Sequence, residues 1–247
     1  MKDSGYLIIL IQLEVPKSYQ ASRIPDLQYM QKQERFIQKT ADMVKEKFTG
    51  EGSGHDWWHI YRVWKTAKTI AEGESANILV VELGALLHDI ADYKFHDGDE
   101  EIGGKVTKEW LESIGVDSET INQVVHIVDN VSFKGGANQN KIQSIEGEIV
   151  QDADRLDGIG AIGIARCFAY GGHKGHEIYN PEIKPHLNMT KEEYKSHKGT
   201  QINHFYEKLL LLKDLMNTKT GKEIAQKRHE FMELYLEEFF AEWDGKK

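Results

Sequence analysis

A single cysteine, Cys167, stands in the 247 residues, so no intramolecular disulfide and no C-x-x-C metal or redox site can form. Such sparing use of cysteine fits the cytoplasm, the expected location. Long hydrophobic runs are also missing. The strongest, Tyr6 to Val15, is interrupted by Gln12 and Glu14 and falls well short of the roughly 20 apolar residues of a membrane helix. Its flanks make a poor signal peptide, with Lys2 the only basic residue and no small-residue cleavage site after it. No membrane partner is expected. Positive charge is scarce as well: the net charge is −9 and no Lys/Arg run is sustained, which excludes a nucleic acid polymer as partner. A few local cations can still grip one small phosphate ester.

What remains is a chain about 40% hydrophobic, enough to bury one substantial core. Residues 1–29 hold two of the four prolines and show no clear helical period. We read them as an upstream extension, with Met30 the natural start and residues 30–247 the single domain. Native protein that retained Met1 by mass would overturn this.

From Gln31 apolar residues recur at three- and four-residue spacing, the mark of amphipathic helices. The pattern predicts helices at 31–47 and 60–70, then at 78–90, 106–114, 121–131, 145–156, 159–170, 194–216 and 224–240. No alternating stretch demands a sheet, so the fold class is all-α. Gly50, Gly52 and Gly54 before the second helix, Gly115 after the fourth and Ser118 before the fifth mark short connections. Gly171 to Thr190, rich in glycine and carrying Pro181 and Pro185, reads as a long surface loop.

One apolar helix, Val80 to Leu87, ends in His88-Asp89. Placed beside the core, these two polar groups are costly unless partnered, and a divalent cation would partner both. A second dipeptide, His55-Asp56, follows Gly-rich sequence where Asp56 suits an N-cap. His59, one turn on and inside the helix, is the better ligand candidate, with His55 the alternative. In Gln151-Asp152-Ala153-Asp154-Arg155-Leu156-Asp157 three carboxylates crowd two helical turns, a repulsion that a cation relieves. Asp154 and Asp157 share a face while Asp152 points elsewhere. Spacing alone leaves open which one meets the metal.

The order His59, His88-Asp89, Asp154 resembles the H…HD…D pattern of the HD superfamily, all-helical metal-dependent phosphohydrolases. Gly54-His55-Asp56-Trp57-Trp58-His59, Ser132-Phe133-Lys134-Gly135 and the 151–157 segment resemble its bacterial YpgQ/YedJ-type subgroup, over roughly residues 31–240. The resemblance implies a single-domain HD-type helical bundle and selects Asp154 as the fourth ligand. It also implies one divalent ion, Mn²⁺ or Mg²⁺ first, with Fe²⁺, Ni²⁺ and Zn²⁺ compatible. Asp92 stands where the cyclic-di-GMP phosphodiesterase branch carries a lysine, and no Gly-Tyr-Pro signature occurs, so cyclic dinucleotides are not expected.

Asp92, three residues after Asp89, resembles the general acid/base of some HD nucleotidases; otherwise it is a solvated helix-end carboxylate. Lys94, and Lys134 ahead of Gly135-Gly136, are the candidate phosphate cations, each with a plain solvated lysine as its alternative. Arg62 either reaches phosphate or pairs with Glu82 or a neighbour of Asp154. His126, after an apolar pair, reads as a core histidine or a second-metal ligand and is left out of the metal set. Trp57 and Trp58 cover the site or pack inside, with at least one expected in the core. Gly171-Gly172-His173-Lys174-Gly175-His176 lacks the Lys-Ser/Thr ending of a P-loop and resembles the family's lid-like segment, a gate or subunit contact.

The expected activity is therefore divalent-metal-dependent hydrolysis of a phosphoanhydride or phosphoester in a small nucleotide. Nucleoside triphosphate pyrophosphohydrolysis is what the subgroup implies. The alternative is a nucleotide-binding or sensing module with little turnover; a di-iron oxygenase would need more histidine ligands. A homo-oligomer is compatible with the sequence.

Overall fold

The structure, a computed structural model, describes residues 27–50, 56–90, 102–131, 142–187, 189, 193 and 199–247. Two compact units divide the chain, Met1–Arg35 and Phe36–Lys247. Every described element is helical: α1 (Leu27–Phe48), α2 (Trp57–Gly73), α3 (Ile78–Leu87), α4 (Ile102–Ile114), α5 (Ser118–Val131), α6 (Ile145–Asp157), α7 (Gly160–Lys174), α8 (Gln201–Glu207), a 3₁₀ segment (Leu209–Leu215) and α9 (Lys219–Trp243). Among the described residues there is no strand, as the absence of alternation predicts.

In the larger unit α3 is the central element. Leu79 through Leu87 are all buried, so this helix has no polar face to show water and must lie inside. It packs against α2, α5 and α6, with α4 beyond α5 and with α7 and α9 on the side of α6. Gly84 permits that density: a Cβ there would stand 3.3 Å from Ile127 and 3.4 Å from Val150. Asn77 caps α3 by accepting the Leu79 N–H at 3.2 Å, and its own N–H goes to Glu146 at 2.9 Å.

Three predicted boundaries are corrected. The glycines of Gly171-Gly172 do not open a loop; α7 runs through them to Lys174 and ends at Gly175, whose φ of 69° is the left-handed cap glycine favours. Gly171 is a packing residue instead, since a Cβ there would meet the Gln201 side chain at 2.2 Å. The predicted helix 194–216 is not continuous. Within its described part, α8 breaks at Lys208 (φ −144°, ψ −58°) and the leucine run continues as a 3₁₀ segment. Apolar periodicity cannot tell 3.0 from 3.6 residues per turn over so short a run. α4 also starts earlier than predicted, because Gly103 and Gly104 are buried inside it and the Asp129 side chain lies against Gly104.

Candidate metal centre

Local capping sets the first ligand candidate. Asp56 accepts the N–H of His59 at 2.9 Å, the N-cap role its sequence position predicts, and fixes His59 in the first turn of α2. α3 ends at Leu87, so His88 is its C-cap residue and Asp89 follows at once, carried to the core by the apolar helix before them. α6 lies against both α2 and α3 and presents Asp154. His59 and His88 are 2% and 4% exposed, while the Asp154 side chain is 35% exposed, so the cluster opens on the side of α6.

One atom each from His59, His88 and Asp89 falls within 4.8 Å of the others. His59 Nε2 is 3.3 Å from His88 Nε2 and 3.4 Å from Asp89 Oδ2, which is 3.3 Å from His88 Nε2. Asp154 Oδ1 joins them at 3.5 Å from His59 Nε2 and 3.9 Å from His88 Nε2. Two donors bound at about 2.1 Å to a common ion stand roughly 3.0–3.5 Å apart for octahedral to tetrahedral angles. The spacing therefore fits a small divalent cation, and two imidazoles with two carboxylates are the nitrogen and oxygen donors such ions take.

Both rings are oriented for this. His88 Nδ1 donates to Ala85 O at 2.8 Å and His59 Nδ1 donates to Asp157 Oδ2 at 2.7 Å, leaving both Nε2 atoms turned to the cluster. Burial pushes the His88 imidazole down, but Asp89 and Asp154 outweigh it and hold it up at about 9. His59 behaves likewise, raised by Asp157 and Asp89 against its burial. Negative charge from the neighbouring carboxylates is the cause, and the same charge would favour a cation bound there.

The three aspartates of α6 have three different tasks. Asp154 faces the His/Asp cluster. Asp152, fully buried, accepts from the backbone N–H groups of Asn217 and Thr218, each at 2.8 Å, and anchors the start of α9. Asp157 binds His59 and receives Arg62 Nε at 2.6 Å, Arg62 Nη2 at 3.0 Å and Arg166 Nη1. Arg166 Nη1 also lies 2.7 Å from His59 Nδ1, but both atoms carry N–H, so the carboxylate between them is the acceptor they share. Burial pushes the Asp157 carboxyl up, and the bonds from His59 and Arg62 with the charge of Arg166 override this, holding it well below the usual carboxylate range.

Asp92, Lys94, Lys134 and His55 lie outside the described residues. Arg62 pairs with Asp157, a neighbour of Asp154, whereas Glu82 is held by Trp64 Nε1 at 2.7 Å and Lys68 Nζ at 3.2 Å. Trp57 is buried in the core and Trp58 is 60% exposed. His126 is exposed on α5 beside Asn130 and joins neither the core nor the cluster. Sequence reasoning missed Arg166, nine residues past Asp157 on a different helix, for which spacing carries no signal.

Residues 57–159, which span His59 through Asp157, match the HD domain family model. The chain is 42% identical over 190 residues to YpgQ of Bacillus subtilis, covering 76% of this chain and 84% of YpgQ. The crystal structure of an HD-superfamily hydrolase from Bacillus thuringiensis is similar at 45% identity and a TM-score of 0.70, over 86% of this chain and 98% of that one. The crystal structure of B. subtilis YpgQ in complex with ADP is similar at 36% identity and a TM-score of 0.67, over 84% and 95%. This chain, with its helical fold and its His/Asp cluster, belongs to the HD superfamily of metal-dependent phosphohydrolases.

Proposed function

We propose that the chain hydrolyses a phosphoanhydride or phosphoester bond in a small nucleotide, and specifically that it acts as a nucleoside triphosphate pyrophosphohydrolase. The observation that carries this reading is the convergence of His59, His88 and Asp89 within 4.8 Å, with Asp154 beside them on the open side. The ADP bound to YpgQ supports a nucleotide as the substrate class.

In this reading His59, His88, Asp89 and Asp154 hold one divalent cation, Mn²⁺ or Mg²⁺ first. When bound, the ion supplies Lewis-acid stabilisation of phosphoryl oxygens and activation of water. The buried pair His59 and His88 keeps two donors rigid, while the more exposed Asp154 leaves an approach for substrate. Asp92 is assigned proton transfer to or from the reacting oxygens, and Lys94 and Lys134 are assigned the nonbridging oxygens. Every residue assigned a role in this reading lies within residues 30–247, and the assigned location is the cytoplasm.

The test is a screen of nucleoside mono-, di- and triphosphates with Mn²⁺ or Mg²⁺ that resolves phosphate from pyrophosphate. Pyrophosphate with a nucleoside monophosphate is the expected product pair from a triphosphate. Nucleotide binding without release from any of them would replace the enzyme with a sensing module. His88→Ala and Asp89→Ala should each abolish metal content and activity while leaving the helical circular dichroism largely intact; unchanged metal in both would reject this cluster.

A further inference from the structure

We infer that Asp157 is the positioning residue of this metal site: it takes the Nδ1 proton of His59 and thereby presents Nε2 to His88, Asp89 and Asp154. The inference rests on His59 being a ligand, as proposed above. Asp157 is not itself one of the converging donors. It sits on the Nδ1 side of the imidazole, 2.7 Å away, while the donors gather around Nε2 on the other side.

The contact is buried on both sides, with the His59 side chain 3% exposed and that of Asp157 4% exposed. Little solvent competes for the Nδ1 proton there, and a carboxylate is its strongest available acceptor. Asp157 is in turn fastened from two other helices. Arg62, one turn after His59 on α2, grips it through Nε and Nη2, and Arg166 reaches it from α7. The carboxylate has therefore lost its rotational freedom before any ion arrives, and the ring it orients is ready for binding.

The two histidines are held unequally. His88 donates to the neutral carbonyl of Ala85 in its own helix at 2.8 Å, an anchor that any residue with a backbone could supply. His59 donates to a charged carboxylate from another helix, which makes its Nε2 the more electron-rich donor. Metal affinity is accordingly sensitive to Asp157 out of proportion to its distance from the ion.

The experiment titrates Mn²⁺ calorimetrically into chelator-stripped full-length protein for the wild type, H59A, D157N and R62Q, and follows the His59 Nδ1–H proton by NMR in the metal-free state. H59A should lose binding. D157N, isosteric with the wild type, should weaken Mn²⁺ by about 10- to 100-fold and lose the downfield, slowly exchanging Nδ1–H resonance. R62Q removes an equally close partner but leaves the carboxylate and its bond from Arg166, so it should keep the resonance and lose less affinity than D157N. Loss of binding in H59A with D157N unaffected overturns the positioning role alone. Unchanged binding in H59A overturns the ligand assignment beneath it. Equal weakening in D157N and R62Q with the resonance kept in both reduces Asp157 to a packing residue. Should D157N fail to fold, the wild-type spectrum decides, and a His59 Nδ1–H in fast exchange overturns the inference.

Discussion

Asp152 receives both the backbone N–H and the hydroxyl of Thr218, each at 2.8 Å, and so ties the middle of α6 to the N-cap residue of α9 across 66 positions of sequence. Asn217 adds its N–H at 2.8 Å and its side-chain amide at 3.0 Å to the same carboxylate. Removing a fully buried acceptor strands several donors at once. Asp152→Ala should therefore cost roughly 3 kcal/mol of stability, read from urea unfolding. Mn²⁺ bound per folded molecule should not change. A stable D152A protein that fails to bind metal would mean the roles of Asp152 and Asp154 have been exchanged.

Asp154 should behave in the opposite way. Its side chain is 35% exposed, so Asp154→Ala is expected to leave the metal-free protein within about 0.5 kcal/mol of wild type. The stabilisation gained on adding Mn²⁺, about 2.7 kcal/mol at 100 times Kd, should largely disappear. Thermal unfolding with and without a chelator measures both quantities in one series. An unaltered metal-induced shift would remove Asp154 from the ligand set.

Much of this arrangement is legible in the amino-acid sequence. The apolar run ending in His88-Asp89 declares both a buried helix and a polar pair at the edge of the core, and Asp56 announces the start of α2 through its capping chemistry. Helical spacing also separates Asp152 from Asp154 and Asp157. It cannot divide the latter two, because both face the same way and their partners are the opposite edges of one imidazole ring on another helix. That division depends on α2 and α6 packing side by side, a relation no local window contains. Arg166 is hidden for the same reason. The glycines mislead in a different way: in α7 Gly171 stands for close packing against Gln201, and in a sequence the Gly171-Gly172 pair looks like a break.

The two kinds of glycine in α7 give a paired prediction. A Cβ at Gly163 would lie 2.3 Å from the backbone oxygen of Gly158, which cannot move without disturbing the end of α6. Gly163→Ala should cost roughly 1–3 kcal/mol. Gly172 has nothing within 4 Å of an added Cβ and is helical, so Gly172→Ala should stabilise by roughly 0.5–1 kcal/mol through reduced freedom of the unfolded chain. Denaturation midpoints of the two variants should move in opposite directions; a shared direction would show that Gly171-Gly172 does not sit inside a helix.

His204 supplies a pH dependence separate from the metal site. Burial lowers its imidazole to about 4, and the charge of Lys208 one turn on adds to this. In the unfolded chain the ring titrates near 6.5. The folded state thus disfavours the proton, so the contribution of His204 is fully present above about pH 6.5 and is lost as pH falls through 4. At about 1.4 kcal/mol per pH unit the loss is roughly 3 kcal/mol. His59 and His88 are shifted upward, so their effect lies on the alkaline side, fading as pH rises from about 6.5 toward their folded values. Asp157 is shifted downward and acts only below the ordinary carboxylate range. The interval between pH 6.5 and 4 therefore reads His204 with little interference from the site. Urea midpoints of metal-free protein should fall across that interval in the wild type and much less in His204→Gln; parallel curves for the two proteins would show that His204 is not the group responsible.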